Sequence, residues 1–239
     1  IMIDKMVGKT EVALYGLAYS IGMLVQLFIS GMNSALTPWM YSKIKKGDIR
    51  SMRKVLQLLS VVVVGIAVAL MLISPELVLI FGSPKYREAV YVIPPVAASV
   101  FFIFIYNILS MPQFYYEKTQ FLMAASMAAA GANVVLNFIF IRLFGYIAAG
   151  YTTLACYMLY SVGHYIVSKR ILVNEGIQEN LMNPGFLLAC SVFLIGASII
   201  CNLIFPYRIL RYAILLASAG LVFWKKELLL KTMADIRKK

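Results

Sequence analysis

The stretch NVVLNFIFIRLFGYIAAGYTTL, residues 133–154, contains two apolar runs separated by Phe144-Gly145. Glycine adopts backbone conformations that end a helix, so the pattern predicts two transmembrane helices joined by a tight turn. Asn133 and Asn137 lie one helical turn apart, and both amides therefore face the same neighbour. Because an unpaired amide in hydrocarbon is costly, we expect both to point into the protein and hold the hairpin together rather than bind a substrate.

The composition extends this prediction to the whole chain. Hydrophobic residues make up 62% of the 239 positions, well above the roughly 45–50% of a soluble domain. Hydropathy in windows of about 19 residues predicts an all-α fold, a polytopic transmembrane helical bundle of about seven spans. The predicted spans are 14–36, 55–74, 90–112, 121–143, 146–168, 186–205 and 209–224, with Leu228 to Leu230 continuing the last helix along the membrane interface.

Basic residues indicate how the chain is threaded through the membrane. Of 22 Lys and Arg residues, fifteen lie in 42–54, 113–120, 168–180 and the tail from Lys225, and seven lie in the alternate connections. Cytoplasmic loops carry the excess of Lys and Arg, so residue 1 is predicted to lie outside and the C-terminus in the cytoplasm. The net charge of +12 therefore does not require a nucleic-acid partner, and we predict none.

The connections between the predicted spans are short. They exclude membrane enzymes that carry their chemistry on a large extramembrane loop. We expect Pro75 and Pro84 to bracket a short apolar piece that lies at the interface. Pro94-Pro95 removes two backbone donors and is expected to kink the third span. The second span, VVVVGIAVALMLI at 61–73, is expected to face lipid on several sides.

Polar side chains follow one face of the first and fifth spans at helical spacing. The first stripe comprises Tyr15, Tyr19, Gly22, Gln26, Ser30, Asn33 and Thr37, and the second runs from Tyr146 to Ser168. Two explanations stay open: helix–helix packing, or the wall of a water-accessible cavity. His164, the only histidine, is expected to be a hydrogen-bonded interface residue rather than a proton relay. The candidate cavity-lining, substrate-binding residues are Tyr15, Tyr19, Gln26, Asn33, Tyr106, Asn107 and Tyr157.

Charged and metal-binding groups are scarce in the predicted spans. None holds Asp, Glu or Lys at depth, whereas a proton- or cation-coupled antiporter usually needs an intramembrane carboxylate to hold a desolvated cation. Cys156, Cys190 and Cys201 all lie in apolar spans without ligand spacing, so neither a disulfide framework nor a metal site is indicated. We predict no cofactor and no catalytic residue.

A series of short motifs is spread along the chain. In order, they are Asp4-Lys5, Glu11, Tyr15 and Ala18, then Lys118-Thr119, Asn133, Asn137, Ile139, Ile141, Phe144-Gly145, Ala148-Ala149, Thr152-Thr153 and Tyr157. In order and spacing these motifs resemble the C-terminal half of bacterial oligosaccharide flippases, polysaccharide-biosynthesis proteins of the multidrug/oligosaccharidyl-lipid/polysaccharide exporter superfamily. Arg142 stands where that family usually has a proline, which changes the end of this helix.

The resemblance implies a two-lobed transporter of which this chain supplies the C-terminal lobe and two extra helices. On that basis the expected segments are an outer-side loop after a preceding helix (1–13), the lobe (14–170), a cytoplasmic linker (171–183), two additional transmembrane helices (184–230) and a basic cytoplasmic tail (231–239).

The implied function is flipping of polyprenyl-diphosphate-linked oligosaccharide, an O-antigen, capsule or exopolysaccharide repeat unit, from the cytoplasmic to the outer leaflet by alternating access. The expected location is the bacterial inner membrane. The expected partners are that substrate, membrane lipids, and polysaccharide polymerase and assembly proteins. The family's cavity is typically cationic, but the predicted spans hold no deep Lys or Arg. Either the basic residues come from the other lobe, or the sugar is held mostly by polar and aromatic side chains such as Tyr15, Tyr19 and Gln26. The alternative is a cation-coupled multidrug or small-molecule antiporter of the same superfamily.

Overall fold

The computed structural model describes residues 2–224, without the side chains of residues 219 and 221–224. All regular secondary structure in this part of the chain is helical, which confirms the all-α prediction. The elements are α1 (Met2–Met6), α2 (Lys9–Gly22), α3 (Leu24–Lys45), α4 (Ile49–Phe81), a 3-10 helix (Pro84–Tyr91), α5 (Ile93–Tyr115), α6 (Gln120–Phe144), α7 (Ala148–Asn174), α8 (Pro184–Ile204) and α9 (Arg208–Trp224).

Five helical segments are long and apolar enough to cross a membrane. They are Lys9–Lys45, which joins α2 and α3 through a turn at Met23, Ile49–Phe81, Ile93–Tyr115, Gln120–Phe144 and Pro184–Ile204. Helices also form at the other two predicted spans: α9 has 17 residues within the described part of the chain, and polar residues recur along α7. The structure therefore supports a multi-pass helical bundle, and within residues 2–224 five of the seven predicted spans qualify by length and composition.

Helix α5 forms the centre of the bundle. Its sequence is apolar on all sides, as expected of a helix surrounded by protein, and nearly all of it is buried. It packs chiefly against α7 and α4, and also against α2, α3 and α8. By contrast, α6 packs mainly on α7 and is almost entirely exposed. The core therefore lies around α5, while α6 stands at its edge.

Pro94 and Pro95 do not kink α5, contrary to the sequence prediction. They lie in its first turn, directly after the 3-10 helix. Backbone N–H groups in the first turn have no partner within the helix, so proline removes nothing there. The two prolines begin the helix instead of bending it.

Pro75 does not end α4, and the expected interfacial piece does not form there. The helix continues through Pro75 to Phe81. Proline cannot donate to the carbonyl four residues earlier, which belongs to Met71. The hydroxyl of Ser74 donates to that carbonyl at 2.8 Å. The side-chain hydrogen bond thus satisfies the acceptor that Pro75 leaves without its backbone donor.

The second span was expected to face lipid on several sides, and less than half of its most apolar part is buried inside the bundle. One face is buried along the helix, including Ser60, Val63, Ala67, Met71 and Val78. These positions recur at steps of three, four and seven residues, so they form a continuous helical stripe. The stripe packs against α5, the helix at the centre of the bundle.

Two of the predicted segment boundaries also shift. Residues 1–13 are not a loop, because α1 and the start of α2 lie within them. Helix α7 extends to Asn174, which shortens the linker predicted at 171–183. The predicted basic tail, 231–239, and the interfacial extension after Trp224 lie outside the described residues.

One pair of opposite charges lies within the helices and joins α4 to α9. Glu76 lies in α4 and the buried Arg211 in the first turn of α9. Arg211 Nη1 and Nη2 each donate to a different carboxylate oxygen of Glu76 at 2.8 Å. Nη1 also donates to the carbonyl of Leu72 at 2.6 Å, and the Tyr212 hydroxyl donates to Glu76 at 2.9 Å. This network fastens α9 to α4.

A second buried cation lies at the end of α3. Lys43 is buried and pairs with Asp48, whose other carboxylate oxygen accepts from the backbone N–H of Ser51 at 3.3 Å. Asp48 therefore caps the first turn of α4, where an anion is favoured by the helix dipole. The ion pair and the cap together fix the turn between the two helices.

Candidate functional site

A cavity of about 590 Å³ lies between α2, α5, α6 and α7. Its volume is within the range of small-molecule sites, roughly 300–1,000 Å³. The lining residues are Tyr15, Tyr19, Tyr106, Ser126, Ala129, Ala130, Asn133, Thr153, Cys156, Tyr157 and Tyr160. Five of these are tyrosines, and none of these described lining residues is charged. We call this space the tyrosine cavity.

The tyrosine rings of the cavity form two groups, one on α2 and the other on α5 and α7. Tyr15 and Tyr19 stack with ring centroids 5.8 Å apart on α2. On the other side, Tyr106 of α5 lies parallel to Tyr157, with centroids 6.3 Å apart, and tilted against Tyr160 at 4.6 Å. Such offset and tilted pairs are favourable and hold the rings in place. The cavity wall is therefore packed aromatic surface with hydroxyl groups attached.

Four of the seven residues predicted from the sequence line this cavity, namely Tyr15, Tyr19, Tyr106 and Tyr157. Gln26, Asn33 and Asn107 do not line it, although all three are partly buried.

The polar stripe of the first span also divides in the structure. It is interrupted where α2 ends at Gly22 and α3 begins after Met23. Gly22 faces α5: an added Cβ there would come within 2.6 Å of Val96 Cγ1. Gly22 therefore serves close helix packing, which is one of the two explanations left open for this stripe.

Several cavity residues were missed because they sit beside the predicted stripe. The clearest are Tyr160 on α7 and Ser126 on α6, whose hydroxyl oxygens lie 2.7 Å apart. Tyr160 follows Tyr157 by three residues, so helical spacing places it on the same face. Ser126 has no such signal, since the small residues around it fit lipid exposure equally well. The Ser126–Tyr160 hydrogen bond links α6 to α7 at the edge of the cavity.

The asparagines of the opening stretch pair within the hairpin, as predicted. Asn137 Nδ2 donates to Asn133 Oδ1 at 2.8 Å, and the Thr152 hydroxyl donates to Asn137 Oδ1 at 2.5 Å. Asn133 Nδ2 points to Cys156 Sγ at 3.6 Å. Every polar atom of both amides thus has a partner. We call these four residues the amide cluster.

A second set of polar residues, the histidine cluster of Gln113, His164 and Ser168, lies between α5 and α7. Gln113 Nε2 donates to His164 Nδ1 at 2.8 Å, which confirms the interface role predicted for the histidine. Since Nδ1 accepts, the neutral ring carries its proton on Nε2. His164 Nε2, Gln113 Oε1 and Ser168 Oγ are buried without a partner among the described residues. Tyr160 of the cavity contacts the His164 ring at 4.5 Å.

The lining of the tyrosine cavity offers two kinds of contact to a ligand. Tyrosine faces stack on apolar surfaces while their hydroxyls and the amide of Asn133 offer hydrogen bonds. Such a wall suits a ligand with both apolar C–H faces and hydroxyl groups. Within residues 2–224, no group of three or more His, Cys, Asp or Glu residues is arranged to hold a metal ion.

Comparison with known proteins identifies one family. A sequence model of the MatE family matches residues 1–139. The matched region includes α1 to α5 and most of α6, and therefore Tyr15, Tyr19 and Tyr106 of the cavity wall. The wall residues of α7 lie beyond it. No curated protein and no solved structure matches the chain.

Proposed function

This chain belongs to the MatE family of membrane transporters, and from that premise we propose that it acts as an oligosaccharide flippase. The proposed cargo is polyprenyl-diphosphate-linked oligosaccharide, moved from the cytoplasmic to the outer leaflet by alternating access. The family also belongs to a superfamily that includes multidrug exporters, so the cargo is the point that has to be tested.

The observation that carries the proposal is the composition of the tyrosine cavity. Its five tyrosines, two hydroxyl side chains and one amide match the surface of a sugar, which alternates apolar C–H faces with hydroxyl groups. Aromatic pairing holds the rings in position before a ligand arrives, which reduces the entropy lost on binding. We infer that the cavity contacts the sugar part of the cargo.

The proposed setting is the bacterial inner membrane, with the C-terminus in the cytoplasm. The excess of Lys and Arg in residues 42–54 supports this orientation. Proposed partners are membrane lipids and the polymerase and assembly proteins that use the flipped sugar. Lys46, exposed between α3 and α4, tests the orientation. Its cysteine variant should react with an impermeant thiol reagent only from the cytoplasmic side, and labelling from outside would overturn the proposed topology.

The cargo is tested by translocation in vesicles that contain the full-length protein. A fluorescent polyprenyl-diphosphate oligosaccharide is followed between leaflets, with and without an ion gradient. We expect Tyr106→Ala to slow translocation roughly ten-fold because it removes a stacking face, and Tyr106→Phe to retain most of the rate. Tyr207→Ala, at an exposed site between α8 and α9, is the matched control and should leave the rate unchanged.

Two results of this assay would contradict the proposed function or the proposed sugar site. If no lipid-linked oligosaccharide moves, while an organic cation is exchanged against a proton or sodium gradient in the same vesicles, the protein is an antiporter and the flippase proposal is wrong. If translocation occurs but Tyr106→Ala and Tyr207→Ala behave alike, the tyrosine cavity is not the sugar site.

A further inference from the structure

A second cavity of about 310 Å³ lies where α6 begins and α7 ends. It is separate from the tyrosine cavity and shares no lining residue with it. Its lining residues are Lys118, Gln120, Phe121, Val167, Arg170, Ile171, Asn174 and Glu175. Cationic, amide and apolar groups therefore meet in one small space, which we call the α6–α7 end cavity.

The cationic groups of this cavity are not used by the fold. Lys118 and Arg170 are both exposed, and within residues 2–224 neither forms an ion pair. Glu175 lines the same cavity, yet its carboxylate is not within ion-pair distance of either cation. Two positive charges and one negative charge thus face the space, leaving an excess of one positive charge for a ligand.

The rest of the lining indicates the kind of anion. Phe121, Val167 and Ile171 give the cavity an apolar wall, and α6 next to it is almost entirely exposed. A small hydrated anion gains nothing from apolar surface, whereas a phosphate attached to a hydrocarbon chain satisfies both parts of the lining. Amides at Gln120 and Asn174 add donors for phosphate oxygens.

The position along the chain fits such a ligand. Lys118 and Arg170 belong to 113–120 and 168–180, the connections that the distribution of basic residues places on the cytoplasmic side. At that level a membrane protein meets the phosphates of the lipid headgroups. On α7, Val167 of the α6–α7 end cavity follows Tyr160 of the tyrosine cavity by seven residues, so both cavities lie along nearly the same helix face. The Ser126–Tyr160 hydrogen bond lies at the edge of the tyrosine cavity.

We propose that the α6–α7 end cavity binds the phosphate group of a membrane lipid, held by Lys118 and Arg170. The source of the phosphate is either an anionic phospholipid of the cytoplasmic leaflet or the diphosphate of a polyprenyl-linked lipid. This site goes beyond the proposed function, because phosphate binding here requires neither an oligosaccharide nor translocation. Its failure and the failure of the flippase proposal are therefore distinguishable.

The test is native mass spectrometry of the full-length protein in detergent, titrated with dioleoyl phosphatidylglycerol, dioleoyl phosphatidylcholine or farnesyl diphosphate. We expect Lys118→Gln and Arg170→Gln each to weaken binding of the anionic probe about five-fold, and the double variant by more than ten-fold. Glu175→Gln should have the opposite effect and tighten binding about two-fold, because it removes the opposing charge.

Lys169→Gln supplies the matched control. It is exposed, adjacent to Arg170 and outside the cavity lining, and it changes the net charge by the same amount. Equal loss of binding in Lys169→Gln and Arg170→Gln would mean a diffuse charge effect and would overturn the site, as would unchanged affinity in the double variant. Preference for phosphatidylglycerol over farnesyl diphosphate would identify a phospholipid site, and the reverse preference a site for the diphosphate. Unchanged melting temperatures would show that the variants are folded.

Discussion

Helix α7 carries two polar clusters that differ in how completely they are paired. In the amide cluster, near the turn between α6 and α7, every amide atom has a hydrogen-bond partner. In the histidine cluster, nearer the other end of α7, three buried polar atoms have none among the described residues. Both clusters combine side-chain amides with a hydroxyl group, and the sequence does not show which of them is fully paired. Only the amide cluster has a hydrogen-bond partner for every amide atom within the protein.

The difference has an energetic meaning. A buried polar atom without a partner costs about 1–3 kcal/mol. A fold rarely retains three such atoms next to one another unless water or a ligand compensates for the cost. The Tyr106 and Tyr160 rings, both lining the tyrosine cavity, contact the His164 ring at 5.8 and 4.5 Å. We therefore expect the amide cluster to contribute to stability and the histidine cluster to contribute much less.

The largest effect is expected in the amide cluster. Asn137→Leu removes a donor to Asn133 and an acceptor for Thr152, and should lower the free energy of unfolding by about 2 kcal/mol. Folded yield and thermal stability in detergent measure this loss, while transport per folded molecule should be kept. Asn107→Leu is the control, because within residues 2–224 the Asn107 amide forms no hydrogen bond, and it should change stability far less.

The opposite pattern would reverse this assignment. If Asn137→Leu kept its folded yield but lost transport per molecule, the amide cluster would belong to the cargo site instead of the hairpin joint.

An intermediate effect is expected for Gln113. Gln113→Leu leaves His164 Nδ1 without its donor and should cost about 1 kcal/mol. The double change Gln113→Leu with His164→Phe removes both partners, so it should recover most of that loss. Thermal melts of the two single variants and the double variant form the cycle. A double variant that is no more stable than Gln113→Leu alone would contradict this expectation, because it would show that His164 stabilises the fold through contacts other than the Gln113 hydrogen bond.

The smallest effect is expected at Ser168. Its hydroxyl is buried without a partner in the part of the chain that the structure describes, so Ser168→Ala should change the free energy of unfolding by less than about 0.5 kcal/mol. Thr152→Ala, which removes a hydroxyl that donates to Asn137, should cost about 1 kcal/mol. If melting experiments gave Ser168→Ala and Thr152→Ala the same loss of stability, the two clusters would not differ in their contribution to the fold.

Much of the fold was predictable because it depends on local pattern. Hydropathy placed the helices, and the Phe144-Gly145 turn with its two asparagines predicted the hairpin and its pairing. The prolines were harder, since proline acts according to its place in a helix. Pro94 lies in a first turn, where it costs nothing, while at Pro75 a neighbouring hydroxyl replaced the missing donor.

The candidate site was predictable only in part. Helical spacing showed which residues share a face, and four predicted tyrosines do meet in one cavity. Spacing does not show which neighbour a face meets, so Gly22 packs against Val96 although it belongs to the same stripe as Tyr19. The ion pair of Glu76 with Arg211 joins residues 135 positions apart, and no local sequence pattern predicts it.

The ion pair between α4 and α9 bears on how the protein is assembled in the membrane. Arg211 lies in the first turn of α9, so the roughly 2.5–3.5 kcal/mol that an arginine costs at the centre of an inserting helix is an upper bound for it. Its carboxylate partner is made far earlier in synthesis, on a helix that packs directly against the central one. Stable integration of the late helix thus depends on an already folded core, and an unpaired Arg211 would mark a molecule whose biogenesis is unfinished.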